Sequence, residues 1–137
     1  MENPYLRPFI RRLEEEEIRY DLPDENVVTI TFAGENMATI NIAVVFDDDG
    51  DNWAELACAG IGKFKDQKFA PGLFHCNVLN NKYRFVKFHI DEDKDLIVRG
   101  DCHMTPATSA EDCMTMVNLL ASLVDDSYPQ FMRILWS

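Results

Sequence analysis

Positive charge is scarce in this sequence. Its 137 residues carry 13 lysines and arginines against 24 aspartates and glutamates, a formal net charge of -11. Nucleic-acid binding needs clustered Lys and Arg to displace counterions from phosphates, so that class of partner is excluded, and an anionic membrane surface with it. Long hydrophobic runs are missing too. The best of them, Met114 to Val124, is broken by Asn118 and is about half a membrane span. The N-terminal stretch MENPYLRPFIRRLEEEE has no continuous apolar segment of the signal-peptide kind, so a cytoplasmic location is expected. Cys58, Cys76, Cys102 and Cys113 show no CxxC spacing and fall in unrelated elements, which predicts reduced thiols.

Catalytic signatures are equally thin. His75, His89 and His103 stand in different predicted elements, and no serine or cysteine has a nucleophile setting such as G-x-S-x-G. Gly60-x-Gly62 lacks the third glycine and the following Lys-Ser/Thr of a phosphate loop and reads as a bend. In Asp47-Asp48-Asp49-Gly50-Asp51 the glycine-at-six rule of a calcium loop would put Val45 at its first position, and no glutamate closes it; the run reads as a hairpin turn. The pairs His75-Cys76 and Cys102-His103 could offer four zinc ligands. Adjacent residues on a strand point apart, however, and the usual spacer is absent. No catalytic residue, metal or cofactor is assigned.

What is present is an ordinary globular composition, 47% hydrophobic and 27% charged, in a length suited to one domain over residues 1–137. Asn3-Pro4 reads as a helix start, with Leu6, Phe9, Ile10 and Leu13 on one helical face and Leu22-Pro23-Asp24 ending the element. Val27 to Phe32 and Met37 to Phe46 read as a hairpin around Ala33 to Asn36, and Trp53 to Ala59 as a third strand. Pro71-Gly72 opens a short helix over Leu73 to Asn80, with Leu73, Phe74, Cys76 and Leu79 as its apolar stripe. Tyr83 to Ile90 and Leu96 to Asp101 alternate with the period of strands, joined by the charged turn Asp91 to Asp95. Thr108-x-x-Glu111 fits a capping box for the longest helix, which Asp125-Asp126 and Tyr128-Pro129 bend or end. The order α-β-β-β-α-β-β-α with short strand connections predicts an α+β fold, a five-stranded antiparallel sheet with helices on one face.

On that sheet, if Val86, Phe88, Ile90, Leu96 and Val98 meet the helices, then Tyr83, Phe85, Lys87, His89, Ile97 and Arg99 share the other face. The result is an aromatic and cationic patch on an acidic protein, a candidate surface for a second subunit or a client peptide. Either that face is open, or the segment Phe131 to Trp136 folds over it.

Leu79-Asn80, Phe85, Phe88, Asp91, Leu96, Val98 and Asp101, followed by Val124-Asp125 and Tyr128-Pro129, resemble the pattern of the YbjN domain family. In that pattern an LN dipeptide closes the middle helix and the two strands carry F-x-x-F-x-x-D and L-x-V-x-x-D. The resemblance spans Tyr5 to Phe131; the very acidic first helix and Trp136 depart from it. It implies a fold like that of type III secretion chaperones, small proteins that dimerise or bind extended segments of client proteins, and a label as a sensory transduction regulator, which names no reaction. The function expected is therefore a non-enzymatic protein-binding regulator or chaperone-like module, with a protein client or homodimer as partner. The alternative is a small-ligand sensor or enzyme whose pocket lies between the middle helix and the sheet near His75, Asn77 and Asn80.

Overall fold

The computed structural model describes residues 1–137. Helix α1 (Leu6–Glu15) leads into strands β1 (Tyr20–Asp24), β2 (Val27–Phe32), β3 (Ile40–Phe46) and β4 (Trp53–Cys58). Helix α2 (Asp66–Lys82), strands β5 (Val86–Ile90) and β6 (Leu96–His103), and helix α3 (Ser109–Trp136) complete the chain. The six strands form one antiparallel sheet in the order β1-β2-β3-β4-β6-β5. The expected sheet thus has one strand more than predicted. That strand, β1, escapes periodicity because four of its five residues are exposed. As an edge strand it also tolerates Pro23.

Period-2 alternation decides which sheet face is covered. Val28 and Ile30, then Ile40, Ile42, Val44 and Phe46, then Ala54, Leu56 and Cys58 are all buried under the helices. Val86 and Phe88, with Leu96 and Val98, continue that layer as expected. Helix α1 buries Leu6, Phe9, Ile10 and Leu13, with the Phe9 ring 5.9 Å from Phe46. The helix itself begins at Leu6, but Asn3 leads into it: its Oδ1 accepts the Tyr5 N–H at 2.9 Å and its carbonyl the Leu6 N–H at 3.1 Å. Its side-chain amide also donates to the carbonyls of Asp47 and Asp51, and its own N–H donates to Asn26 Oδ1, tying the N-terminus to the β3–β4 turn.

Both longer helices run through prolines that had been expected to bound them. Helix α2 starts at Asp66 and contains Pro71, so its buried face is set by Gly72, Cys76 and Leu79, while Leu73 and Phe74 are exposed. Helix α3 continues through Pro129 for 28 residues. A proline cannot donate to the carbonyl four residues back, here Asp125, and that carbonyl accepts from Asn36 Nδ2 at 3.1 Å instead. The Asp125 carboxylate meanwhile accepts the backbone N–H groups of Glu35, Asn36 and Met37. These charge-assisted bonds hold its pKa below the usual carboxylate value, the Met37 bond contributing most. Gly34 is required beside this clamp, since a Cβ there would lie 2.3 Å from Asp125 Oδ1. At the start of α3 the reach-back comes from Asp112, which accepts from Thr108 Oγ1, and not from the expected Glu111.

Candidate protein-binding surface

The sheet face away from the helices is open. Phe131, which could have folded over it, is buried on the helical side, stacked on Phe88 with ring centroids 6.2 Å apart and packed against Phe64 and His75. Of the six residues expected on the open face, four stand there. Lys87 pairs with Arg99 and His89 with Ile97 across β5 and β6. Their row continues through the small side chains of Ala57, Ala43 and Thr29, beside a second row of Val27, Val45, Glu55 and Asp101.

Charge on this face is local and partly unpaired. Arg99 Nη1 lies 3.5 Å from Glu55 Oε1, while Arg99 Nε and His89 Nε2 have no hydrogen-bond partner. Burial, followed by the positive charges of Arg99 and Lys87, lowers the His89 pKa, so the ring is neutral near pH 7. The face is therefore cationic at Lys87 and Arg99, but the two aromatic residues expected on it, Tyr83 and Phe85, are not there.

Tyr83 and Phe85 stand elsewhere because β5 begins only at Val86. Tyr83 closes α2, its N–H bonded to the Leu79 carbonyl, and its ring packs 6.4 Å from Phe88 on the core side. Phe85 has φ 70°, a left-handed conformation that turns the chain out of the strand, and its ring is 73% exposed. Gly100 makes room for this turn, since a Cβ there would be 3.0 Å from the Phe85 carbonyl oxygen. No residue-level signal in the Tyr83 to Ile90 alternation marks the break.

Of the residues expected around a pocket beside the middle helix, Asn80 is held by the chain itself. Asn80 donates to the Phe88 carbonyl and accepts the Phe88 N–H, at 2.9 and 2.7 Å, pinning α2 to β5, while His75 Nε2 is buried without a hydrogen-bond partner. Asn77 is exposed, and the His75 ring packs edge-on against Phe131 at 4.8 Å. A cavity of about 570 Å³ lies instead at the far end of the sheet, walled by Trp53, Phe85, Met116 and Leu119, with Asp101 and Asp112 at its rim.

The acidic turns are explained by backbone bonds. Asp91 Oδ1 accepts the N–H groups of Asp93 and Asp95, and Asp49 Oδ1 accepts that of Asp51. The four cysteines are buried and unbridged; burial pushes the Cys58 and Cys76 thiols up to about 11.

The roles just described fall on the residues that carried the family resemblance: Asn80 at the α2–β5 junction, Phe88 in the core, Asp91 in the turn and Asp125 at the clamp. The YbjN family, described as "Putative bacterial sensory transduction regulator", matches residues 13–133. The chain belongs to the YbjN family. Its fold is similar to the crystal structure of YbjN from E. coli, described as "a putative transcription regulator". The two agree with a TM-score of 0.65 at 11% identity, over 91% of this chain and 92% of that one. No curated protein matches the chain. Within this YbjN-family motif, Asn80, Phe88, Asp91 and Asp125 hold the scaffold together. No helix is long and apolar enough to cross a membrane.

Proposed function

We propose that this YbjN-family protein is a non-enzymatic regulatory module of a bacterial cytoplasm that works by binding protein, either a client or a second copy, through the open sheet face. The observation that carries this reading is the uncovered surface itself. Lys87, His89, Ile97 and Arg99 stand on a face that no helix covers, beside a row of small side chains, while every helix packs on the opposite layer. A chaperone-like mode, in which an extended client lies along a small α+β scaffold, fits this geometry. The placement of the three histidines supports a binding role over acid-base chemistry: His75 is packed on Phe131, His89 lies on the sheet face and His103 stands beside Trp53.

The test is affinity enrichment with wild type and with the double variant Lys87→Glu/Ile97→Ser, circular dichroism confirming that both fold. A discrete protein set, or a second copy of the chain, retained by wild type and lost from the variant is expected. Identical sets from the two baits would overturn the assignment of this face.

A further inference from the structure

Strand β6 is longer than its neighbour. Its pairing with β4 runs to His103, but its pairing with β5 stops at Gly100, where Phe85 turns away. Asp101, Cys102 and His103 therefore have a strand on one side only. Backbone groups along a strand point alternately to its two neighbours, and the Met104 N–H donates to the Asn52 carbonyl on the β4 side. By that alternation His103 directs its N–H and C=O to the vacant side. The resulting edge opens into the cavity of about 570 Å³.

The surroundings of this gap are unusual for a surface that exists only to be solvated. Phe85 keeps an exposed ring on a left-handed backbone, a conformation that bulky side chains rarely adopt and that clusters at binding sites. Trp53, 46% exposed, is held against the His103 ring at 4.6 Å. Beneath them Met116 and Leu119, one helical turn apart, form an apolar wall. The rim is acidic: Asp101 and Asp112 line the cavity and neither is held in an ion pair, while Glu55, opposite Asp101 on β4, is already paired with Arg99.

We propose that this gap is a strand-addition site, in which an extended, basic segment of a partner protein pairs with the β6 edge at Asp101–His103. The segment continues the line of β5. Its apolar side chains enter the cleft between Phe85, Trp53, Met116 and Leu119, and its Lys or Arg residues neutralise Asp101. Main-chain pairing supplies affinity, and the pocket and charges select alternating apolar-basic sequences. This inference deepens the protein-binding reading and rests on it; it concerns the free β6 edge rather than the Lys87–Arg99 and His89–Ile97 pairs, and the backbone-methylated peptide tests the edge alone.

The probe is a synthetic peptide of alternating Lys and Val, titrated into the Trp136→Phe protein so that Trp53 is the only indole. An analogue methylated on the backbone nitrogens of one edge keeps charge and side chains but cannot pair; a second replaces Lys by Glu. The parent peptide should give a saturable blue shift of Trp53 emission, with NMR amide shifts confined to Asp101–His103 and the cleft. Binding should weaken at least tenfold for the methylated analogue, for the Glu peptide and for the Asp101→Lys protein. No saturable change, or equal binding of parent and methylated peptides, would overturn strand addition, the latter leaving only charge attraction to an acidic surface.

Discussion

Replacing Phe85 by glycine distinguishes a ring kept for binding from one kept for stability. At φ 70° the backbone of Phe85 sits where an L-residue is disfavoured by about 1–2 kcal/mol, and glycine relieves that strain. Against the gain, glycine adds unfolded-state freedom worth about 0.5–1 kcal/mol. The ring is 73% exposed, so deleting it forfeits about a quarter of the transfer free energy of a fully buried Phe, on the order of 0.5 kcal/mol. These terms nearly cancel. Phe85→Gly should therefore unfold within about 1 kcal/mol of wild type and shift Tm by no more than about 4 °C. Urea unfolding followed by circular dichroism measures this, with Phe88→Ala, at a site only 1% exposed, as a core reference expected to lose about 3–5 kcal/mol. A loss above about 2 kcal/mol for Phe85→Gly, beyond the roughly 1–1.5 kcal/mol that area and entropy can supply, would show that the ring is structural and refute the reasoning.

The other predictions address what holds the scaffold. Asp125→Ala removes the acceptor for three backbone N–H groups and should cost about 2 kcal/mol in denaturant unfolding, less than three buried charge-assisted bonds because the site is partly wet. Because folding lowers the Asp125 pKa, its contribution is complete above the ordinary carboxylate value of 3.8 and is lost as pH falls through the lower folded value; an acid titration of Tm should lose that limb in the alanine variant. His75 and His89 act in a different range. Burial lowers both their pKa values, so below their ordinary value of 6.5 protons favour the unfolded chain and stability should fall between pH 7 and 5, less so in His75→Gln and His89→Gln. Asn80→Ala breaks both bonds to the Phe88 backbone and should cost about 1–3 kcal/mol, with faster hydrogen exchange at Phe88. The buried thiols should react with an aromatic disulfide reagent only as fast as the protein opens, since all four are enclosed by the core.

Strands with one face on the core were legible in the sequence because their alternation is enforced by burial, as in Ile40, Ile42, Val44 and Phe46. The same rule missed β1, which buries almost nothing, and it carried β5 back through Phe85 and Tyr83, whose apolar character continues the pattern while the backbone does not. Pro71 and Pro129 read as helix boundaries because propensity is local. Nothing near Pro129 in sequence reveals that Asn36 accepts the role of its missing donor toward Asp125. The family motif was readable as a pattern, whereas the reason for it was not: Asn80 and Asp125 bond to segments eight and about ninety residues away. The cavity was invisible for a similar cause, since it exists only where one strand outruns another.

The most direct measurement is site-specific photo-crosslinking in living bacteria, with a benzophenone amino acid placed in turn at Ile97 on the open face, at His103 on the free edge, and at Glu15 on exposed α1. The account predicts discrete protein adducts from Ile97, adducts from His103 where a basic segment joins the edge, and none from Glu15. Adducts equal at all three positions, or absent from Ile97, would contradict a regulator that acts by binding protein through its uncovered sheet.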